Sequence, residues 1–61
     1  MDKPYKLFKN DVISAANSVK NKLGWTFNKK NFVDSWLFEY HTGRVSQEDF
    51  YAEWKRWEDE G

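Results

Sequence analysis

Cysteine is absent from this 61-residue chain, proline occurs once and glycine three times. Without cysteine there is neither a disulfide framework nor a thiolate metal site, and a reducing, cytoplasmic setting is expected. Long apolar runs are missing too. Nothing approaches the roughly 18 residues of a membrane span, and no charged start followed by an apolar stretch marks a secretory signal. A membrane partner is therefore not expected. Nor is there an excess of either charge, since ten Lys or Arg balance ten Asp or Glu. With Pro4, Gly24, Gly43 and Gly61 as the only breakers, the chain has no linker, repeat or low-complexity tract. It reads as one domain over residues 1–61.

Aromatic rings are what the sequence has in surplus: twelve of the 61 residues. A domain of about 60 residues buries only about 60% of the surface its unfolded chain exposes, so its core is marginal unless packing is efficient. Rings that bury roughly 150–250 Å² each supply what staples would otherwise provide. An enclosed pocket of about 300 Å³ would compete with that core. Enzymatic activity, a cofactor and a small-molecule substrate are accordingly not expected.

The apolar spacing gives an all-α fold, a compact three-helix domain with an extended N-terminal arm. Residues 1–9 form the arm, with Tyr5, Leu7 and Phe8 as its anchors and Pro4 holding its start extended. Val12, Ala16, Val19 and Leu23 make one helical stripe, giving a helix over about 11–23 with Asn10 as N-cap and Gly24 past its end. A second helix, about 29–42, starts at the Asn28 cap. Phe27 and Phe32 hold its staple positions, and Gly43 ends it. A third, about 47–59, starts at Ser46 with Asp49 three residues on and Val45 and Phe50 as staple. A minor two-stranded patch between residues 5–8 and 25–27 is the alternative for the arm.

Balanced charge hides an asymmetry. Residues 1–31 carry seven lysines against two acids, +5; residues 32–61 carry three cations against eight acids, −5. One reading is internal: Lys29 and Lys30 open helix 2 where the helix dipole disfavours cations, and Glu58, Asp59 and Glu60 close helix 3 where it disfavours anions. Antiparallel packing would set these ends side by side. The other reading is a nucleic-acid face built from Lys3, Lys6, Lys9, Lys20 and Lys22, with Tyr5 or Trp25 as stacking platform. A helix-turn-helix reader is disfavoured, because the third helix opens on Gln47, Glu48 and Asp49, two of them acids that phosphates would repel.

Other motifs resolve into capping. Residues 43–50 resemble the second half of an EF-hand loop, but Phe38 would then stand at the first ligand position, where calcium needs an oxygen, and Asp49 at the last, where glutamate is usual. His41 has no acid at ligand spacing and sits in the last turn of helix 2, where its charge suits the carbonyl end. The serines lack the strained elbow of a nucleophile. No catalytic residue and no metal site are expected.

The placement of the aromatics is more informative. At about 100° per residue, Phe38 points away from the stripe centred between Trp36 and Tyr40. Tyr51 sits at the edge of the third helix's stripe, and Trp57 lies in its last turn. Either the arm covers Phe38, with Trp25 plugging one end, or Phe38, Tyr51 and Trp57 form an exposed cluster flanked by Arg44 and Arg56. Aromatics and arginine are enriched at binding hot spots. The expected function is a small non-enzymatic protein-binding module, a regulator or inhibitor that docks an aromatic helix face onto a larger macromolecule. A protein partner is expected, with self-association as one form of it.

Overall fold

Pro4 starts the fold, with φ −53° and ψ 145°. Its carbonyl accepts from the N–H groups of Leu7 at 3.0 Å and Phe8 at 3.1 Å, so the helix opens directly behind it. A computed structural model describes residues 2–60, with all their side chains but those of Trp25 and Glu60. It shows α1 (Tyr5–Leu23), a single 3-10 turn (Gly24–Thr26), α2 (Lys29–His41) and α3 (Gln47–Glu60). The domain is all-α and three-helical, and no strand occurs among the described residues.

The N-terminus departs from the expected arm. Residues 5–9 are the first turns of α1, and among the described residues only Asp2–Pro4 precede the helix. Tyr5, Phe8, Val12, Ala15 and Val19 recur every three or four residues, so the stripe read from Val12 onward extends back to Tyr5. Phe8 is fully buried, as are Val12 and Ala15. Asn10, expected as a cap, is an exposed residue inside the helix. The two-stranded patch is absent because residues 5–8 spend their backbone groups within α1. Thr26 belongs to the 3-10 turn and only Phe27 is extended.

The later boundaries follow local chemistry. Asn28 Oδ1 accepts from the Asn31 N–H at 3.0 Å, and the rings of Phe27 and Phe32 close the staple with centroids 5.5 Å apart. Gly43, at φ +80°, ends α2 in a Schellman turn. The Arg44 N–H reaches back to the Glu39 carbonyl at 2.9 Å, and the Gly43 N–H to that of Tyr40 at 3.1 Å. Ser46 and Asp49 form a reciprocal capping box. Ser46 Oγ accepts from the Asp49 N–H at 3.1 Å, and Asp49 Oδ2 from the Ser46 N–H at 2.9 Å.

The core is mostly rings. Phe8 meets Phe50 edge-on at 5.6 Å and Tyr40 at 4.7 Å. Trp36 meets Phe50 at 5.1 Å and Trp57 at 6.3 Å, and Phe32 meets Trp57 at 5.6 Å. α2 thus turns Phe32 and Trp36 toward α3 and Tyr40 toward α1. Such pairs contribute about 0.5–1.5 kcal/mol each beyond their burial, a substantial increment in a domain this small.

Candidate interaction surfaces

The side chains expected at a partner interface divide between core and surface. Phe38 is 60% exposed and lies on the back of α2, opposite the half-buried rings that face the core. Asp34, Ser35, His41 and Thr42, three or four residues away, are its neighbours on the helix surface. Neither the start of α1 nor residues 2–4 cover it. Tyr51 and Trp57 are half-buried and pack against the core cluster. Trp57 turns inward to Phe32 and Trp36 although it sits near the end of α3. The structure therefore does not gather Phe38, Tyr51 and Trp57 into one exposed cluster. Arg44 lies 3.7 Å from Glu39, and Arg56 is paired with Glu53 one turn back.

Tyr51 has a specific internal task. Its hydroxyl donates to Asp11 Oδ2 at 2.5 Å, and Lys3 Nζ donates to the same oxygen at 3.1 Å while lying 5.1 Å from the centre of the Tyr51 ring. The Tyr51 hydroxyl holds the Asp11 carboxyl below the usual carboxylate range, with Lys3 adding to the effect and burial opposing it. Tyr51 itself is pushed well above the ordinary phenol value, chiefly by burial and then by its bond to Asp11. A phenol held protonated in this way is neither a base nor a nucleophile at neutral pH. The trio ties the N-terminal segment, α1 and α3 together.

Gln47, weighed as a base reader, is 2% exposed and is spent inside the fold. Its amide binds both main-chain groups of Lys3 and also donates to the Tyr40 hydroxyl at 3.3 Å. Nothing in the spacing of the sequence signals this contact, which joins residues 44 apart.

The expected lysine set also divides. Lys3 is held by Asp11. Lys22 donates to the Trp57 carbonyl at 3.1 Å and lies 4.0 Å from Glu58. The carbonyl end of α3 is thus met by α1, where the sequence pointed to Lys29 and Lys30. Lys29 donates instead to Asn17 Oδ1 at 2.9 Å. Lys6 and Lys9 are exposed on α1. Lys20 shares an open cleft of about 490 Å³ with Thr26, Phe27, Asn28, Lys29 and Lys30. Tyr5 is 41% exposed, its ring against those of His41 at 5.0 Å and Tyr40 at 6.3 Å. Trp25, the other stacking candidate, has its side chain outside the described residues.

Among the described residues no three His, Asp or Glu converge as metal ligands, and no helix is long and apolar enough to cross a membrane. No protein-family model, no curated protein and no solved structure matches the chain.

Proposed function

We propose that the protein is a small non-enzymatic binding module that docks the outer face of α2 onto a larger protein, as a regulator or inhibitor of it. The observation that carries this reading is the exposure of Phe38 in a helix whose other aromatic residues all pack inward. Phe32, Trp36 and Tyr40 supply what the fold needs from α2, so a fourth ring on the polar face is left over from folding. Helices that lie in a partner's groove present anchors three or four residues apart. His41 follows Phe38 by three residues and carries Tyr5 against its ring. Tyr51 and Trp57 serve this reading only as core packing, and Arg44, beside Glu39, lies just past the end of the same helix. The absence of cysteine supports a cytoplasmic site of action.

The test uses immobilised wild-type protein and Phe38→Ala side by side. A protein retained by the first and lost from the second, with both variants equally folded by circular dichroism, supports the reading. So does concentration-dependent sedimentation that Phe38→Ala abolishes, the partner then being a second copy. Equal retention by both proteins, or unfolding of Phe38→Ala, overturns it.

A further inference from the structure

α1 and α2 lie side by side, and their shared outer strip concentrates one charge. Lys6, Lys9, Ile13, Ala16 and Lys20 are spaced three, four, three and four residues apart, so they form a single line along α1. Ile13 and Ala16 line a shallow groove of about 310 Å³ with Asn17, Lys29, Lys30 and Val33, and with Asp34 as its acid. Lys29 and Lys30 also line the polar cleft that holds Lys20, so groove and cleft meet at these two lysines. Lys29 is anchored by the uncharged Asn17 side chain, not by an acid. The ion pairs among the described residues use Lys3, Lys22, Arg44 and Arg56. None uses the five lysines of this strip.

We propose that this strip binds single-stranded nucleic acid, with Lys6, Lys9, Lys20, Lys29 and Lys30 tracking the phosphates. Its length fits a linear polyanion. Lys6 to Lys20 is about 21 Å at 1.5 Å per helical residue, two-thirds of the domain's 31 Å long dimension. A single strand laid along that length would present several consecutive phosphates to it. A ring stands near each end: Tyr5 beside Lys6, 41% exposed although it packs against His41, and Phe27 in the cleft with Lys20, half-buried against Phe32. A positive groove with flanking aromatics is the general arrangement for single strands. The strip borders the Phe38 surface at Asp34 and Tyr5, but its five lysines take no part in that surface, and neither proposal depends on the other.

The experiment is an anisotropy titration of a labelled, mixed-sequence single-stranded oligonucleotide at a series of salt concentrations. Each phosphate neutralised contributes about −0.7 to the slope of log K against log salt, so five lysines give about −3.5. The triple variant Lys20→Gln/Lys29→Gln/Lys30→Gln should lose about 2 from that slope and bind at least about tenfold more weakly at low salt. Lys20→Arg/Lys29→Arg/Lys30→Arg, which keeps the charges, should bind as the wild type does. Lys3→Gln/Lys22→Gln, which removes lysines held by internal bonds, should leave the slope in place. Circular dichroism checks that each variant is folded. No binding at low salt, a triple variant that binds like wild type, or an equal loss in the Lys3/Lys22 variant each overturns the proposal. Polyglutamate competing as strongly as the oligonucleotide at equal charge overturns it as well, in favour of an acidic protein surface.

Discussion

The side-chain amide of Gln47 forms two hydrogen bonds with the backbone of Lys3. Its Oε1 accepts from the Lys3 N–H and its Nε2 donates to the Lys3 carbonyl, both at 2.8 Å. The first residue of α3 thereby fastens the segment in front of α1, as one strand would pair with another. Only an amide offers a donor and an acceptor at this spacing, and burial removes water as a substitute. Gln47→Ala should therefore cost about 1–2 kcal/mol, a fall of roughly 4–16 °C in Tm for a domain of this size. Gln47→Glu should cost at least as much, since its second oxygen would face the Lys3 carbonyl. Lys3→Ala keeps both main-chain bonds and should cost no more than about 1 kcal/mol. Thermal unfolding of the three variants checks the ranking.

Stability should fall toward both acid and alkaline pH through one pair of residues. Asp11 has its carboxyl held below the ordinary value by Tyr51. Around and below pH 4 the unfolded chain therefore takes up a proton that the folded chain refuses, and stability drops as pH falls through that window. Tyr51 is raised above its ordinary value of 10.0. Its contribution is complete below about pH 10 and is lost above it, where the unfolded phenol ionises first. Tyr51→Phe should flatten both flanks while costing about 1 kcal/mol at neutral pH. That is below the usual figure for a bond to a charged group, because Asp11 remains 29% exposed. Urea unfolding from pH 3 to pH 11 on both proteins is the measurement, and unchanged flanks in the variant would remove the assignment.

Features set by neighbouring residues were legible in the sequence. The Asn28 and Ser46 caps, the Phe27–Phe32 staple and the two positive-φ glycines all rest on side chains within five residues of the backbone they serve. So does the three-helix count. The start of α1 was not legible, because Pro4 suits an extended segment and a helix N-terminus equally, and Asn10 offered a competing cap. The tertiary pairings were hidden as well. Gln47 with Lys3, Tyr51 with Asp11, and Lys22 with the end of α3 all join distant positions. Each removes a residue from a face that helical periodicity alone would assign to solvent. That is why Tyr51, Lys3 and Lys22 read as surface candidates and proved to be internal ties, whereas Lys29 and Lys30 read as internal and stand on an open strip.

The two helix-ending glycines should tolerate substitution differently. Gly43 has φ +80° within a Schellman turn, a conformation that Asn adopts at small cost. Gly24 combines φ +81° with ψ −160°, a region open essentially to glycine alone. In neither case would an added Cβ meet a neighbouring atom, so the difference is purely one of backbone strain. Gly43→Asn should cost well under about 1 kcal/mol and Gly24→Asn about 1–3 kcal/mol. Equal losses in a denaturant series would show that the turn at Gly24 rearranges to relieve the strain.

Phe38 and Phe50 test the division between core and surface most directly, being the same residue type in adjacent helices. Phe50 is fully buried and meets Phe8, Trp36, Tyr51 and Trp54, whereas among the described residues no ring stacks on Phe38. Phe50→Ala should cost about 3–5 kcal/mol, enough to unfold most of a domain with so small a core. Phe38→Ala should stay within about 0.5 kcal/mol of wild type. Phe38→Lys should do the same, because the neighbouring residues on that face are already polar. If Phe38→Lys melts several degrees lower than wild type, the ring has a packing role and its exposure is no sign of a partner. If the variant keeps its Tm, the ring contributes nothing to the fold and is free to serve a partner.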